Sequence, residues 1–299
     1  MTTEERRILA ETVLEGLSVG DAFGERYAYG HEDVRARVTN EALHGNWRWT
    51  DDTAMAVGIM ECLNRSGKIE EEVLARTFAR NFKNDYERGY GRMAARILER
   101  INEGDPWEAV SRSAFNGGSM GNGAAMRVAP LGAWFADDLE GVAKEAMKSS
   151  RVTHWHEEGI AGGIAVAIAT AVAWKTRELP AAEVREIIAK EVRHYTPEGE
   201  TANGIELALA LDPEALPYLA GRRLGNGSLV TAPDTVPYVI WCALRSLDDY
   251  AEALIATVEG GGDCDTNAAM VGGILAARLG MEGIPQEWRD AREALPAFA

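Results

Sequence analysis

Apolar residues in this chain recur at helical spacing almost from end to end, and no stretch alternates apolar and polar with period two. Ile8, Leu9, Val13, Leu14 and Leu17 open the series. Residues 69–82, 91–101, 138–149, 180–195, 201–211, 236–247, 249–258 and 285–295 continue it. Residues 159–174, dense in Gly and Ala and free of charge, read as a central helix packed closely on all sides. That run is shorter than the roughly 18 residues a membrane span needs, so no membrane segment is expected. Asn226-Gly227 has hairpin-turn chemistry, but it lies between Gly225 and Ser228 rather than between β-branched strands. Residues 26–48 look irregular and are expected to form a long loop, and a brief turn opened by Pro213 should stop at Pro217. No Pro/Ser linker or low-complexity tract divides the chain. A single compact all-α domain over residues 1–299 is expected.

Composition narrows the class of function. The chain has 299 residues, 46% apolar and 26% charged, with formal net charge −16. Such acidity argues against a nucleic-acid groove, which needs basic patches. The three cysteines, Cys62, Cys242 and Cys264, form neither a disulfide framework nor a zinc spacing. Free thiols and a charged N-terminus without a signal-peptide pattern point to the cytoplasm. A monomer is expected.

Two short stretches carry the chemistry. Trp49-Thr50-Asp51-Asp52-Thr53 opens an apolar helical run, and so does Gly260-Gly261-Gly262-Asp263-Cys264-Asp265-Thr266. Each places a hydroxyl and two carboxylates at a helix start. A single such residue caps free backbone N–H groups, which is the ordinary explanation. Facing each other, the two would supply four carboxylates and two hydroxyls, hard oxygen donors suited to a pair of Mg²⁺, Mn²⁺ or Ca²⁺ ions. Cys264 is read as a spacer, since a soft thiolate suits that metal class badly.

Two further stretches are candidates. Phe115 to Arg127 contains Gly117, Gly118, Gly121 and Gly123 and then turns helical. It reads either as an anion nest at a helix N-terminus or as a tight turn between buried helices. Arg127 could assist an anion or pair with a structural carboxylate. Thr153-His154-Trp155-His156 lacks further nitrogen or sulfur ligands for zinc. Its histidines read as ligand contacts or as a helix cap.

Taken in order, the chain resembles the ADP-ribosylglycohydrolases. The resemblance rests on Gly20-Asp21-Ala22-Phe23-Gly24, Thr50-Asp51-Asp52-Thr53, Gly121-Asn122-Gly123-Ala124-Ala125-Met126-Arg127, Thr153-His154 with His156, and Gly261-Gly262-Asp263-Cys264-Asp265-Thr266. It implies an all-α domain of that type, with two Mg²⁺ or Mn²⁺ ions held by Thr50, Asp51, Asp52, Asp263, Asp265 and Thr266. It implies a diphosphate cradle from Gly117, Gly118, Ser119, Gly121, Asn122, Gly123 and Met126, with His154 or His156 beside the nucleotide. The implied reaction is removal of ADP-ribose from a modified protein side chain or a small conjugate. Asp52 and Asp263 are placed at the catalytic centre with Glu25. Many members carry an acid seven positions after the Asp of the Gly-Asp element; here that position is Ala28. Glu25 is therefore the expected acid/base, with Glu32 and Asp33 next in reach. Two other readings remain: a phosphatase using Asp-x-Asp-x-Thr, which should follow a strand early in an α/β chain, and a non-catalytic binder or structural relative.

Overall fold

The computed structural model describes residues 1–28, 33–40 and 46–297. Among them there are sixteen α-helices and no strand. The helices are α1 (Thr3–Tyr27), α2 (Val34–Asn40), α3 (Asp51–Ser66), α4 (Glu71–Asn84), α5 (Arg92–Asn102), α6 (Trp107–Ser113), α7 (Ala129–Trp134) and α8 (Leu139–Arg151). The second half of the chain adds α9 (Glu157–Lys175), α10 (Ala181–Tyr195), α11 (Glu200–Ala210), α12 (Pro217–Leu224), α13 (Ala232–Arg245), α14 (Tyr250–Glu259), α15 (Cys264–Leu279) and α16 (Gln286–Ala291). The expected all-α architecture is what the chain adopts.

Helix α1 begins as the sequence suggests. The Thr2 side chain accepts from the Glu5 amide while the Glu5 carboxylate accepts from the Thr2 amide, a reciprocal cap. It then continues through Gly16, Gly20 and Gly24 to Tyr27. The glycines serve close packing. A Cβ on Gly16 would lie 2.7 Å from the Gly272 carbonyl oxygen, one on Gly20 2.1 Å from that of Ala268, and one on Gly24 2.4 Å from that of Cys264. Their spacing of four puts all three on one helix face. As residue numbers rise along α1 they fall along α15, so the pair is antiparallel and in near-backbone contact. This contact brings Asp21 and Glu25 beside the start of α15.

Helix α9 is the central element. Gly159 and residues 161–173 are buried, against α7, α8, α10, α13 and α15. By length and composition this helix alone among the described residues could cross a membrane, yet 78% of its most apolar window is buried inside the fold. That is the burial of a core helix.

One expectation about an irregular segment is corrected and another is extended. Residues 34–40 form α2 rather than loop, with the Asp33 carboxylate accepting from the amides of Arg35 and Ala36. The brief turn opened by Pro213 forms, with the Asp212 carboxylate accepting from the Glu214 amide, and ends before Pro217, which then starts α12, because the first helical position needs no N–H from its residue. Glu32 lies outside the described residues. Near the C-terminus, Glu293 pairs with Arg88, whose Nη1 donates to the Trp49 carbonyl oxygen at 3.0 Å and whose guanidinium carbon lies 3.4 Å from the Trp49 ring centroid. The chain end thereby braces the segment leading into α3.

Candidate active site

Thr50 holds the N-cap position of α3, and Asp263 that of α15, but neither side chain bonds a helix amide. Capping therefore does not explain these residues. The Thr50 hydroxyl lies 2.9 Å from Asp21 Oδ1 and 2.8 Å from Asp52 Oδ2. Asp263 Oδ2 accepts from Asn122 Nδ2 at 2.7 Å.

Asp21 is the candidate site residue that reading the sequence left out of the ligand set. It is fully buried on α1. Besides Thr50, it accepts from the Thr53 amide at 3.1 Å and the Thr53 hydroxyl at 2.5 Å. The Thr50 amide donates to it as well. Oxygen atoms of Asp21, Asp52 and Asp265 all lie within 4.8 Å of one another. A signal was available: Asp21 is the one acid between Gly16 and Gly24, in a stretch otherwise apolar or small.

The cluster is electrostatically unfinished. Among the described residues, no Lys or Arg forms an ion pair with Asp21, Asp51, Asp52, Asp263 or Asp265. Asp52 Oδ1 is buried without any partner. Burial, followed by the charges of Asp21 and Asp265, holds Asp51 and Asp52 well above the usual carboxylate range. Burial pushes Asp21 up to about 7, reinforced by Asp265 and opposed by the Thr53 hydroxyl. Burial and Asp265 do the same for Asp263. Buried carboxylates at this density either take up protons or are balanced by a cation. The donors are oxygens throughout, so the arrangement fits a hard divalent ion.

A cavity of about 810 Å³ opens over the cluster. Asp51, Asp263, Asp265 and Thr266 form one side of it, and Gly118, Ser119, Gly121, Asn122, Gly123, Met126, His154 and His156 another. Thr50 and Asp52 are buried behind that wall, and Gly117 does not line it. Glu25 is exposed in the last turn of α1, outside the lining; burial and the nearby Asp265 raise its carboxyl, with Arg48 opposing. The structure thus brings both carboxylate stretches, the glycine loop and both histidines together, and leaves Glu25 at the edge.

The glycine loop is built differently from the expected nest at a helix start. It leads into a single 3-10 turn at Asn122–Ala124 and then the six-residue α7. Gly118 has φ +101, which favours glycine. Gly121 and Gly123 are needed for space, because a Cβ on either would lie 3.1 or 2.9 Å from His154 Nε2. His156 occupies the N-cap of α9 and its Nδ1 accepts from the Glu158 amide at 3.1 Å, so it both caps and lines the cavity.

A sequence model of the ADP-ribosylglycohydrolase family matches residues 2–298. The chain belongs to that family. Among its relatives, the ADP-ribosylhydrolase ARH3 of Mus musculus is 30% identical over 279 residues, covering 82% of this chain and 73% of the mouse protein. The human ARH3 is 30% identical over 286 residues, 85% of this chain and 76% of that protein. The ADP-ribosylarginine hydrolase Tri1 of Pseudomonas putida is 25% identical over 296 residues, 96% of this chain and 75% of its own. A solved structure titled "ADP-ribosylglycohydrolase-related protein complex" superposes with TM-score 0.68 at 23% identity, over 97% of this chain and 94% of that one, a likeness of fold. The motif order of this family member leaves no place for the α/β phosphatase reading, since its Asp263-Cys264-Asp265-Thr266-Asn267 has Asn where that motif needs its Thr, follows a loop and starts a helix late in an all-helical chain.

Proposed function

We propose that this family member is a hydrolase that releases ADP-ribose from a modified protein side chain or a small conjugate, using two divalent cations, Mg²⁺ or Mn²⁺. One observation carries the reading. Two helix starts far apart in the chain leave the Thr50 and Asp263 side chains off their helix amides, and Asp52 and Asp265 from the same two starts meet Asp21 in one acid cluster beside a cavity. Thr50, Asp51, Asp52, Asp263, Asp265 and Thr266 would hold the ions, with Asp21 fixing Thr50 and lending its charge. Bound cations would supply Lewis-acid polarisation and orientation at the ribose that bears the scissile bond.

The chain's own residues divide the remaining work. The backbone of residues 118–123 and the His154 ring face the diphosphate end of the cavity. The amides of Ser119 and Met120 donate to no backbone carbonyl among the described residues, which leaves them for an anion. Glu25, beside Asp265 and raised above the ordinary carboxyl range, is the group that gives a proton to the leaving acceptor or takes one from water. Three buried, unpaired cysteines suit a reducing cytoplasm.

The test is incubation with ADP-ribosylated arginine and serine peptides, with Mg²⁺, Mn²⁺ or EDTA, following free ADP-ribose. Turnover should need the metal and vanish in Asp51→Ala and Asp265→Ala. Full activity in EDTA would overturn the metal assignment. Tight metal and ADP-ribose binding with no turnover on any conjugate would make the chain a binder.

A further inference from the structure

Arg127 carries a charge where charge is costly. Its side chain is fully buried, its Nε has no partner, and among the described residues no carboxylate pairs with it. Its Nη2 donates to the Ser149 carbonyl oxygen at 2.8 Å, and its Nη1 lies 3.6 Å from Met55 Sδ. The guanidinium carbon stands 4.5 Å from the Phe78 ring centroid. Nη1 also donates to Thr153 Oγ1 at 2.9 Å. That hydroxyl, itself fully buried, lies 2.7 Å from His154 Nδ1.

Counting protons along this line fixes the histidine. Guanidinium can only donate, so Arg127 takes a lone pair of Thr153 Oγ1. The hydroxyl has one proton, and His154 Nδ1 is its acceptor. Were Nδ1 protonated instead, two donors would face one hydroxyl oxygen whose own proton had no acceptor in a buried site. Nδ1 therefore accepts, and the proton of the neutral ring sits on Nε2. Burial, with the Arg127 charge behind it, pushes the imidazole down to about 3, so the ring stays uncharged. Nε2 is the atom packed against Gly121 and Gly123 in the cavity wall.

We propose that Arg127 is a positioning residue which acts through Thr153 to hold His154 as an uncharged Nε2–H donor for an anionic oxygen of the cavity's ligand. The ligand half of this inference rests on the ADP-ribose reading; the proton arrangement does not. It also accounts for a buried arginine with no carboxylate partner. Burial pushes the Arg127 guanidinium down to about 9, which still leaves it charged and donating at neutral pH, so the polarity of the relay runs one way.

The tautomer is read directly by long-range ¹H–¹⁵N NMR of the histidine rings in the ligand-free protein, with His154→Gln assigning the signal. Wild type should show His154 protonated at Nε2. Thr153→Val should lose the fixed tautomer and weaken ADP-ribose binding about tenfold or more, the scale of one hydrogen bond to a charged group. Thr153→Ser should restore both, and divalent metal binding should not change in either variant. A wild-type ring protonated at Nδ1 or at both nitrogens overturns the relay, and needs no variant to fold. So does a Thr153→Val protein that keeps the Nε2–H tautomer, or one that loses it yet binds ADP-ribose as before. If wild type holds Nε2–H but binds no ADP-ribose, the relay stands and the proposed function fails.

Discussion

Adding one carbon to Gly24 should damage the metal site without touching a ligand. The Cβ of Gly24→Ala would lie 2.4 Å from the Cys264 carbonyl oxygen and 2.5 Å from the Asp265 Cα, while ordinary contact begins near 3.4 Å. Both obstacles are backbone, so no rotamer relieves the clash. Helices α1 and α15 must separate by about 1.0 Å there, the difference between 3.4 and 2.4. At Gly20 the gap is larger, about 1.3 Å, from 3.4 less 2.1. Overpacking of this kind costs ~1–3 kcal/mol. Alanine's better helix propensity returns ~1 kcal/mol. The net loss of up to about 2 kcal/mol should lower Tm by up to roughly 3 °C in a chain of this size.

The functional effect should exceed the thermal one. Metal–ligand distances tolerate about 0.2 Å, and a 1 Å displacement moves Asp265 away from Asp21 and Asp52 together. Thermal melts of metal-free protein and Mn²⁺ titration by calorimetry read the two effects separately. Gly91→Ala is the stability control, since a Cβ there meets nothing within 4 Å. Unchanged Tm and unchanged Mn²⁺ affinity in Gly24→Ala would refute the claim that close helix approach sets the acid cluster.

Glu25→Gln keeps the shape and removes the acid; turnover should fall about 10²-fold with ADP-ribose affinity retained, and unchanged turnover would pass the role to Asp33 or to water. Asp21→Asn should weaken divalent metal binding although the residue lies outside the two sequence stretches; equal affinity would confine Asp21 to holding Thr50 and Thr53. The metal-free protein should lose stability as pH rises from about 4 to about 7. The sign follows from carboxyls raised on folding from 3.8 to about 7 at Asp21 and Asp263: the folded state binds the extra protons, so stability is present at low pH and lost as pH rises through the folded value. Saturating Mg²⁺ or Mn²⁺ should abolish that decline, and a metal-free Tm that stays flat or rises over this range would count against an uncompensated acid cluster.

Helices were legible in the sequence because helical period is a local property of the chain. The Thr50–Asp52 and Asp263–Thr266 stretches were legible because a cap needs one oxygen and each offers three. What escaped depends on contacts between distant residues. Gly20 and Gly24 weaken a helix by themselves, and only the backbone of α15 lying against them explains why α1 continues to Tyr27. Glycine density at residues 117–123 suggested a backbone nest. At Gly121 and Gly123 the deciding neighbour is a histidine ring supplied from the segment before α9. Pro217 was read by its power to stop a helix, when its position relative to the next apolar run made it a start.

The two halves of the cavity are not independent walls. The Asn122 side chain reaches Asp263 and the Thr235 hydroxyl, while its amide donates to the Val230 carbonyl oxygen at 3.2 Å. Val230 has φ +56, a left-handed conformation that a β-branched residue adopts only under constraint. From the same loop, the Asn226 carbonyl oxygen accepts the Asp263 amide at 3.0 Å and the Asn267 side chain at 2.8 Å. Asn226 Nδ2 donates to the Gly260 carbonyl oxygen at 2.9 Å. Glycine loop, 226–230 loop and the start of α15 are therefore one hydrogen-bonded frame. A ligand that touches the glycine loop at one end and the carboxylates at the other meets a spacing already set by folding. The strain at Val230 is then the cost of tying the two ends together, and the entropy of positioning is met before any ligand arrives.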